Sequence, residues 1–104
     1  MAVTKSGYVI RFIAGDQDIA AEADTVISVR GGIRVIGVLI VAAAAAAHLK
    51  LYDADNSVAG VAVFEFGDVS VNTTDGATGI LVQFRTGISA TLTGAGAVAY
   101  LFCA

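Results

Sequence analysis

Hydrophobic and polar residues alternate along much of this chain, in short runs separated by glycine or by turn-forming residues. In the segment 80–85, for example, Ile80, Val82 and Phe84 fall on one face, with Gln83 and Arg85 on the other. A period of two is typical of a half-buried β-strand, because successive side chains point to opposite faces of a sheet. The pattern predicts strands over Tyr8–Ile13, Thr25–Arg30, Ile33–Val41, His48–Asp53, Val61–Phe66, Val69–Val71, Ile80–Arg85, Ile88–Thr93 and Ala97–Cys103.

The segments between these strands have the composition of turns. The chain contains 12 glycines and no proline, and turn-forming residues cluster in Asp53–Ser57 and in Asn72–Gly79. The acidic segment Asp16–Asp24 is expected to be a solvated loop between two strands. Several short strands at regular spacing favour a sandwich or a barrel. We therefore predict a single all-β domain over residues 1–104, an antiparallel, jelly-roll-like β-sandwich of about eight short strands.

The six alanines of Ala42–Ala47 conflict with a pure strand pattern, because alanine has the highest helix propensity. A helix here would begin with the β-branched run Val35–Val41 and would lack a residue suited to capping its N-terminus. We favour two strands that meet at the alanines, with small side chains selected because another part of the molecule packs close. A short helical turn at this position remains the alternative.

The predicted strand Ile33–Val41 is apolar on both faces after Arg34. One face can cover the opposite sheet, but the other requires a neighbouring chain or the alanine segment to cover it. This is the main local argument for an oligomer. The candidate interface residues are Val35, Ile36, Val38, Ile40, Ala44, Ala45, Tyr100 and Phe102.

The composition supports the same expectation. Hydrophobic residues make up 57% of the chain and charged residues 14%, whereas typical soluble domains have about 45–50% and about 25%. The mean hydropathy is +0.80. A lone domain of this length would struggle to hide so much apolar surface. The chain is therefore expected to be either a membrane protein or a subunit whose outer faces are buried by neighbours.

The sequence argues against a membrane and against nucleic acid. The longest uncharged apolar run, Val35 to Ala47, is shorter than the roughly 20 residues that a spanning helix needs. Near the N-terminus, Arg11 interrupts the apolar segment that a signal peptide would require. The net charge is −3, and the few basic residues are scattered rather than clustered. We expect neither a membrane nor a nucleic acid as a partner.

The chain offers few residues that could bind a metal ion or act as a catalytic base. The single histidine, His48, alternates outward with Lys50 and is interpreted as a surface or interface residue. One histidine and one cysteine are too few for a zinc site. The run Asp53–Ser57 resembles the opening of a calcium-binding EF-hand loop, but Val58 and Phe64 stand where glycine and glutamate are required. No metal or cofactor is expected.

The remaining motifs are also interpreted as structural. Acidic residues between two predicted strands could in principle form a catalytic carboxylate pair, but they read as a solvated loop. These residues are Asp16, Asp18, Glu22 and Asp24. Asn72 begins a chance glycosylation motif in a turn, and the segment 94–96 lacks the third glycine of a phosphate loop. Cys103, the only cysteine, is expected to be a core or interface thiol. The chain is therefore not expected to be an enzyme.

A family resemblance rests on the middle and C-terminal parts of the chain. The segment 33–37 reads Ile-Arg-Val-Ile-Gly, and Ala47–Ala54 contains a Leu-Tyr-Asp strand. In Gly79–Tyr100, a strand ending in phenylalanine precedes a glycine, a further strand and Thr-Gly-Ala-Gly. From Ile33 to Tyr100 this order resembles a group of small β-sandwich proteins encoded among tailed-bacteriophage virion genes. The six-alanine run departs from that pattern.

The resemblance implies a non-enzymatic virion structural protein, made in the host cytoplasm and located on the capsid surface. Within that group, the expected function is that of a capsid cement or decoration protein, which binds between major capsid protein subunits and stabilises the head. Trimers at local threefold positions are the common arrangement, so a homotrimer is expected. The alternative is a carbohydrate- or receptor-binding module of a phage tail or head fibre. The only tyrosines are Tyr8, Tyr52 and Tyr100 and there is no tryptophan, which counts against sugar binding.

Overall fold

A computed structural model describes residues 3–6, 9–18, 33–54, 58, 60–85 and 87–103 of the chain. The described residues form strands and connecting segments, with no helix among them. The strands are β1 (Val3–Ser6), β2 (Val9–Ile13), β3 (Gly15–Asp18), β4 (Ile33–Val41), β5 (Ala47–Tyr52), β6 (Phe64–Val69), β7 (Thr74–Phe84), β8 (Ser89–Thr93) and β9 (Val98–Cys103).

The strands form two antiparallel sheets. The five-stranded sheet has the order β1-β2-β9-β4-β7, and the four-stranded sheet has the order β3-β8-β5-β6. Apart from the hairpins β1–β2 and β5–β6, each connection passes from one sheet to the other. The order β2-β9-β4-β7 facing β3-β8-β5-β6 is that of a jelly roll, in which two Greek keys form a double sheet. The predicted all-β, jelly-roll-like sandwich is confirmed, with β1 added at one edge.

Every second side chain of the inner strands lies between the sheets, as the period of two requires. Phe12 and Phe84 are the largest fully buried side chains, and burying each of them stabilises the fold by about 1.5–3 kcal/mol. The five-stranded sheet contributes Ile10, Phe12, Val35, Val38, Ile40, Phe84, Ala99, Leu101 and Cys103 to the core. The four-stranded sheet contributes Ala47, Leu49, Leu51, Val69, Ala90 and Leu92.

Several predicted boundaries are wrong, and in each case a pairing partner explains the difference. The predicted loop at Asp16 lies in β3, because Gly15–Asp18 pairs with β8. The predicted turn Asn72–Gly79 contains the start of β7, whose residues 74–78 pair with β4. Val69 ends β6 and Val71 lies in the following turn, so Val69–Val71 is not a separate strand.

Other predictions have mixed outcomes. Val61 precedes β6 and is 89% exposed, so the predicted strand from Val61 begins too early. Ser89 alternates with the apolar residues Ile88 and Ala90 in the predicted strand Ile88–Thr93, yet it is fully buried and donates a hydrogen bond to the carbonyl of Ala54. The predicted strand Thr25–Arg30 lies outside the described residues, as do Tyr8, Glu22, Asp24 and the segment 55–57.

The alanine run connects the two sheets at one end of the sandwich. β4 ends at Val41 and β5 begins at Ala47, so two strands meet at the alanines without a helical turn between them. The amide of Ala42 donates to the carbonyl of Thr73 at 2.9 Å, and the amide of Asn72 donates to the carbonyl of Ala43 at 2.8 Å. Because the turn before β7 approaches this closely, small side chains suit the segment.

The structure separates the alanines that require a small side chain from those that do not. Ala47 is fully buried in the core, whereas Ala44 is exposed. We expect Ala47→Leu to overfill the core and lower the free energy of unfolding by about 1–3 kcal/mol. Ala44→Leu, which adds the same side chain at an exposed position, should change it by less than about 0.5 kcal/mol. Urea denaturation of both variants measures the difference, and equal losses would contradict the assigned burial.

The turn that connects β8 to β9 depends on a glycine at its first position. Gly94 has a φ of 105°, and a Cβ atom there would lie 2.6 Å from the carbonyl oxygen of Ala46. Strain of this kind costs about 1–3 kcal/mol, and the backbone clash adds to it. We therefore expect Gly94→Ala to destabilise the protein strongly in thermal denaturation.

Gly60 is the matched control for this substitution. Its φ is 89°, but a Cβ atom there would have no neighbour within 4 Å. Gly60→Ala therefore introduces backbone strain without a clash. A Gly94→Ala variant that is no less stable than Gly60→Ala would show that the alanine segment does not approach this turn closely.

Candidate functional site

The outer surface of the five-stranded sheet is largely apolar over β2, β9 and β4. Core residues alternate along β2, β4 and β9 with a second set of side chains that points away from the core and is only partly buried. We call this set the apolar face; it consists of Val9, Ile13, Leu39, Val41, Val98, Tyr100 and Phe102. Since the described strands provide no third layer over it, these side chains remain in contact with solvent.

The strand pairing places the residues of the apolar face in adjacent rows. The cross-strand rows are Val9–Phe102–Gly37, Arg11–Tyr100–Leu39 and Ile13–Val98–Val41. Directly opposed side chains have Cβ atoms about 4.5–5.5 Å apart, so the rows form one continuous surface. Gly37 leaves space that the ring of Phe102 occupies, because a Cβ at Gly37 would lie 3.4 Å from Cδ2 of Phe102.

One charged side chain belongs to these rows. The guanidinium carbon of Arg11 lies 6.0 Å from the centre of the Tyr100 ring, at the outer limit of a cation–π contact. The arginine stem adds apolar area while its charge stays at the surface. The middle row of the face therefore presents an aromatic ring with a cation above it.

The candidate interface residues divide between the core and the surface. Val35, Val38 and Ile40 are almost completely buried in the core of the chain itself. Their assignment to an interface is therefore corrected, because their side chains are not accessible to a partner in this structure. Ile36 is 40% exposed beside the irregularity that separates Val35 from Gly37 in the strand pairing.

The other candidate residues lie in two places. Tyr100 and Phe102 are partly exposed on the apolar face. Ala44, which is exposed, and Ala45, which is partly exposed, lie in the loop at the end of the sandwich. The sequence analysis missed Leu39 and Val41 as members of the face. Both alternating sets of β4 are apolar, so their composition does not reveal which set faces outward.

The outer surface of the four-stranded sheet is polar, in contrast to the apolar face. Its outward positions alternate with core leucines and phenylalanines along β5, β6 and β8. These outward residues are His48, Lys50, Glu65, Thr91 and Thr93. The two outer surfaces of the sandwich thus differ in chemistry, one being hydrated and charged and the other hydrophobic.

His48 contacts two carboxylates on this polar surface. Its Nδ1 lies 2.8 Å from Oδ1 of Asp68, and its Nε2 lies 2.6 Å from Oε2 of Glu65. The hydrogen bond with Asp68 is the largest influence on the His48 pKa. Together with Glu65 it outweighs the opposing effect of burial, so the pKa is raised above its ordinary value of 6.5. The predicted surface position of His48 agrees with its 27% exposed side chain.

Glu65 and Asp68 were not anticipated as partners of His48. Asp53 and Asp55 are nearer to His48 in the chain, but its partners lie on the adjacent strand β6. Only the pairing of β5 with β6 brings these residues together. Glu65 could have been identified from the alternating pattern once that register was known, because it lies opposite Lys50.

Asp53 has a structural position. Its Oδ1 accepts hydrogen bonds from the backbone amides of Arg85 at 3.1 Å and of Gly87 at 3.3 Å. The carboxylate therefore joins the end of β5 to the segment between β7 and β8. Within the part of the chain that the structure describes, no group of three or more histidine, cysteine or acidic side chains is arranged to hold a metal ion.

The fold and its surfaces define a class: a small jelly-roll sandwich with one apolar and one polar outer surface. Comparison of the chain with protein-family models, with curated proteins and with solved structures finds no match. Over the described ranges, no helix is long and apolar enough to cross a membrane.

Cys103 is a free cysteine with its side chain in the core. Burial raises the pKa of its thiol to about 11, so the reactive thiolate at pH 8 is roughly 100-fold scarcer than for an ordinary thiol. We expect a chromogenic disulfide reagent to react slowly with the folded protein and rapidly after denaturation. Equal rates in the two states would contradict a buried thiol.

Proposed function

We propose that this chain is a non-enzymatic structural subunit of a bacteriophage virion, and specifically a capsid cement protein. In this function it binds as a homotrimer between subunits of the major capsid protein on the capsid surface and stabilises the head. The observation that carries the proposal is the apolar face of the five-stranded sheet. Contiguous partly exposed apolar side chains of this kind are typical of interaction surfaces.

The chemistry of the apolar face supports binding to protein rather than chemistry on a substrate. Its residues are aliphatic and aromatic, and the charged side chain in its rows, Arg11, lies over the ring of Tyr100. Aromatic residues and arginine are enriched in protein interfaces, where they provide most of the binding energy. Tyr100 and Phe102 on the central strand β9 are therefore the proposed anchors.

The fold class and the polarity of the other surface are compatible with this proposal. Jelly rolls are common in viral capsid proteins, and a subunit at the outside of a capsid needs one hydrated surface. Lectins also use jelly rolls, which is the support for the alternative function, recognition of a carbohydrate or receptor by a phage fibre. We favour the cement function because the apolar face gives a specific reason for protein contact.

A charge on the apolar face tests the proposal. Val98 lies between Ile13 and Val41 in one row, and Val98→Glu would place an unpaired carboxylate in the proposed interface, at a cost of several kcal/mol. We expect the wild-type chain to have three times the 10.5 kDa mass of the monomer in light scattering. It should also sediment with shells of the major capsid protein encoded in the same genome. The variant should bind those shells at least about 100-fold more weakly.

Thr93→Glu is the matched control, because it adds the same charge to the exposed polar surface of the other sheet. Circular dichroism establishes that both variants remain folded. Equal shell binding by the two variants would exclude the apolar face as the interface. A wild-type chain that stays monomeric and does not sediment with the shells would contradict the cement function itself.

A further inference from the structure

Both ring nitrogens of His48 face carboxylate oxygens of β6. The contact with Asp68 is 2.8 Å and the contact with Glu65 is 2.6 Å. These distances are those of charge-assisted hydrogen bonds, which are shorter and stronger than bonds between neutral groups. The ring thus bridges from β5 to two positions on the neighbouring strand.

The number of protons needed for these contacts follows from the chemistry of the groups. An ionised carboxylate only accepts hydrogen bonds, and a neutral imidazole has one N–H group to donate. Two simultaneous bonds from the ring to two carboxylates therefore require the imidazolium form, with a proton on each nitrogen. Loss of one proton removes one of the two bonds and leaves a ring nitrogen facing a negative oxygen.

The bridged strand is at an edge of the four-stranded sheet. β6 pairs with β5 and has no other partner in the four-stranded sheet. Gly67 lies opposite His48, next to a register irregularity between Ala47 and His48. A Cβ at Gly67 would lie 3.0 Å from Nδ1 of His48, so the ring lies directly against the β6 backbone between its two carboxylate partners.

We propose that His48, held in its doubly protonated form by Glu65 and Asp68, is a pH-sensitive clasp that fixes the edge strand β6 to β5. Deprotonation of the ring as the pH rises opens the clasp and loosens β6, while the rest of the sandwich stays folded. The clasp lies on the polar surface, so this inference does not depend on the proposed cement function.

The charges around the ring determine when the clasp opens. Glu65 and Asp68 on β6 favour the imidazolium. Lys50, on the same strand and opposite Glu65, opposes it, and Thr93 on β8 is uncharged. On β3, Asp16 pairs with Thr91 one row away. The two carboxylates dominate because they contact the ring directly.

The pKa of His48 is raised in the folded state, chiefly by its hydrogen bond with Asp68. The contribution of the clasp to stability is therefore fully present below the unfolded value of 6.5. It is lost as the pH rises through the higher folded pKa.

Titration of the ring by NMR is the first test. His48 is the only histidine of the chain, so a single imidazole signal reports on the clasp. We expect its apparent pKa to exceed 6.5 in the wild type, to fall in Asp68→Asn and in Glu65→Gln, and to fall furthest towards 6.5 in the double variant. Asp75→Asn removes an exposed carboxylate of β7 and should leave the pKa unchanged.

Hydrogen exchange of backbone amides tests the mechanical part of the proposal. Above the folded pKa of His48, protection of the β6 amides should fall relative to the β2 and β9 amides, after correction for the intrinsic pH dependence of exchange. His48→Gln should show no such pH step. An apparent pKa at or below 6.5, one insensitive to both carboxylate substitutions, or a step that persists in His48→Gln would overturn the proposal.

Discussion

Between the two sheets, side chains from both sides of the sandwich exclude water almost completely. Phe12, Phe84 and Leu101 of one sheet and Leu49, Leu51 and Leu92 of the other are at most 1% exposed. Because side chains alternate along a strand, committing one set to this core forces the other set outward. The chemistry of each outer surface is therefore decided by residues that the core does not use. On β2, β9 and β4 of the five-stranded sheet those residues are mainly apolar, and in the four-stranded sheet they are polar.

The ends of the sandwich impose a second constraint, which concerns the backbone rather than the side chains. The turn between β6 and β7 approaches the alanine run closely enough for direct hydrogen bonds from Ala42 and to Ala43. Gly94 lies so near the carbonyl of Ala46 that a side chain there would clash. Alanine and glycine are thus required by proximity at particular positions, although Ala44 itself is exposed. The run is a place where three connections meet.

The sequence predicted the fold class and the core well, because both follow from the period of two. The set Ile80, Val82 and Phe84 behaves as that pattern requires, because all three side chains lie in the core or pack against it. Strands in polar segments were harder to predict, because Gly15–Asp18 and Thr74–Thr78 become strands only through pairing with neighbouring strands. No local signal in Gly-Asp-Gln-Asp distinguishes an edge strand from a loop.

The candidate site could be predicted only in part. Tyr100 and Phe102 were identified because they alternate with Ala99 and Leu101 along their strand, which places the two aromatic side chains on the same face. In β4 both sets are apolar and the pairing is irregular after Val35, so the inward residues Val38 and Ile40 could not be distinguished from the outward residues by composition. The partners of His48 could not be predicted for a different reason. Glu65 and Asp68 are distant from it in sequence, and only the register of β6 brings them to the ring.

Because the two outer surfaces lie on opposite sides of the sandwich, a partner bound to one does not cover the other. A partner that covers the apolar face contacts β2, β9 and β4, while His48 and its carboxylates lie on the opposite side of the sandwich. Coverage of one surface therefore leaves the other in water, where protons exchange freely with the ring. If the chain is a subunit of a larger assembly, the edge strand β6 would remain responsive to pH after assembly, because the core between the sheets separates it from the interface. The same separation means that opening of β6 need not disturb the strands that make contact.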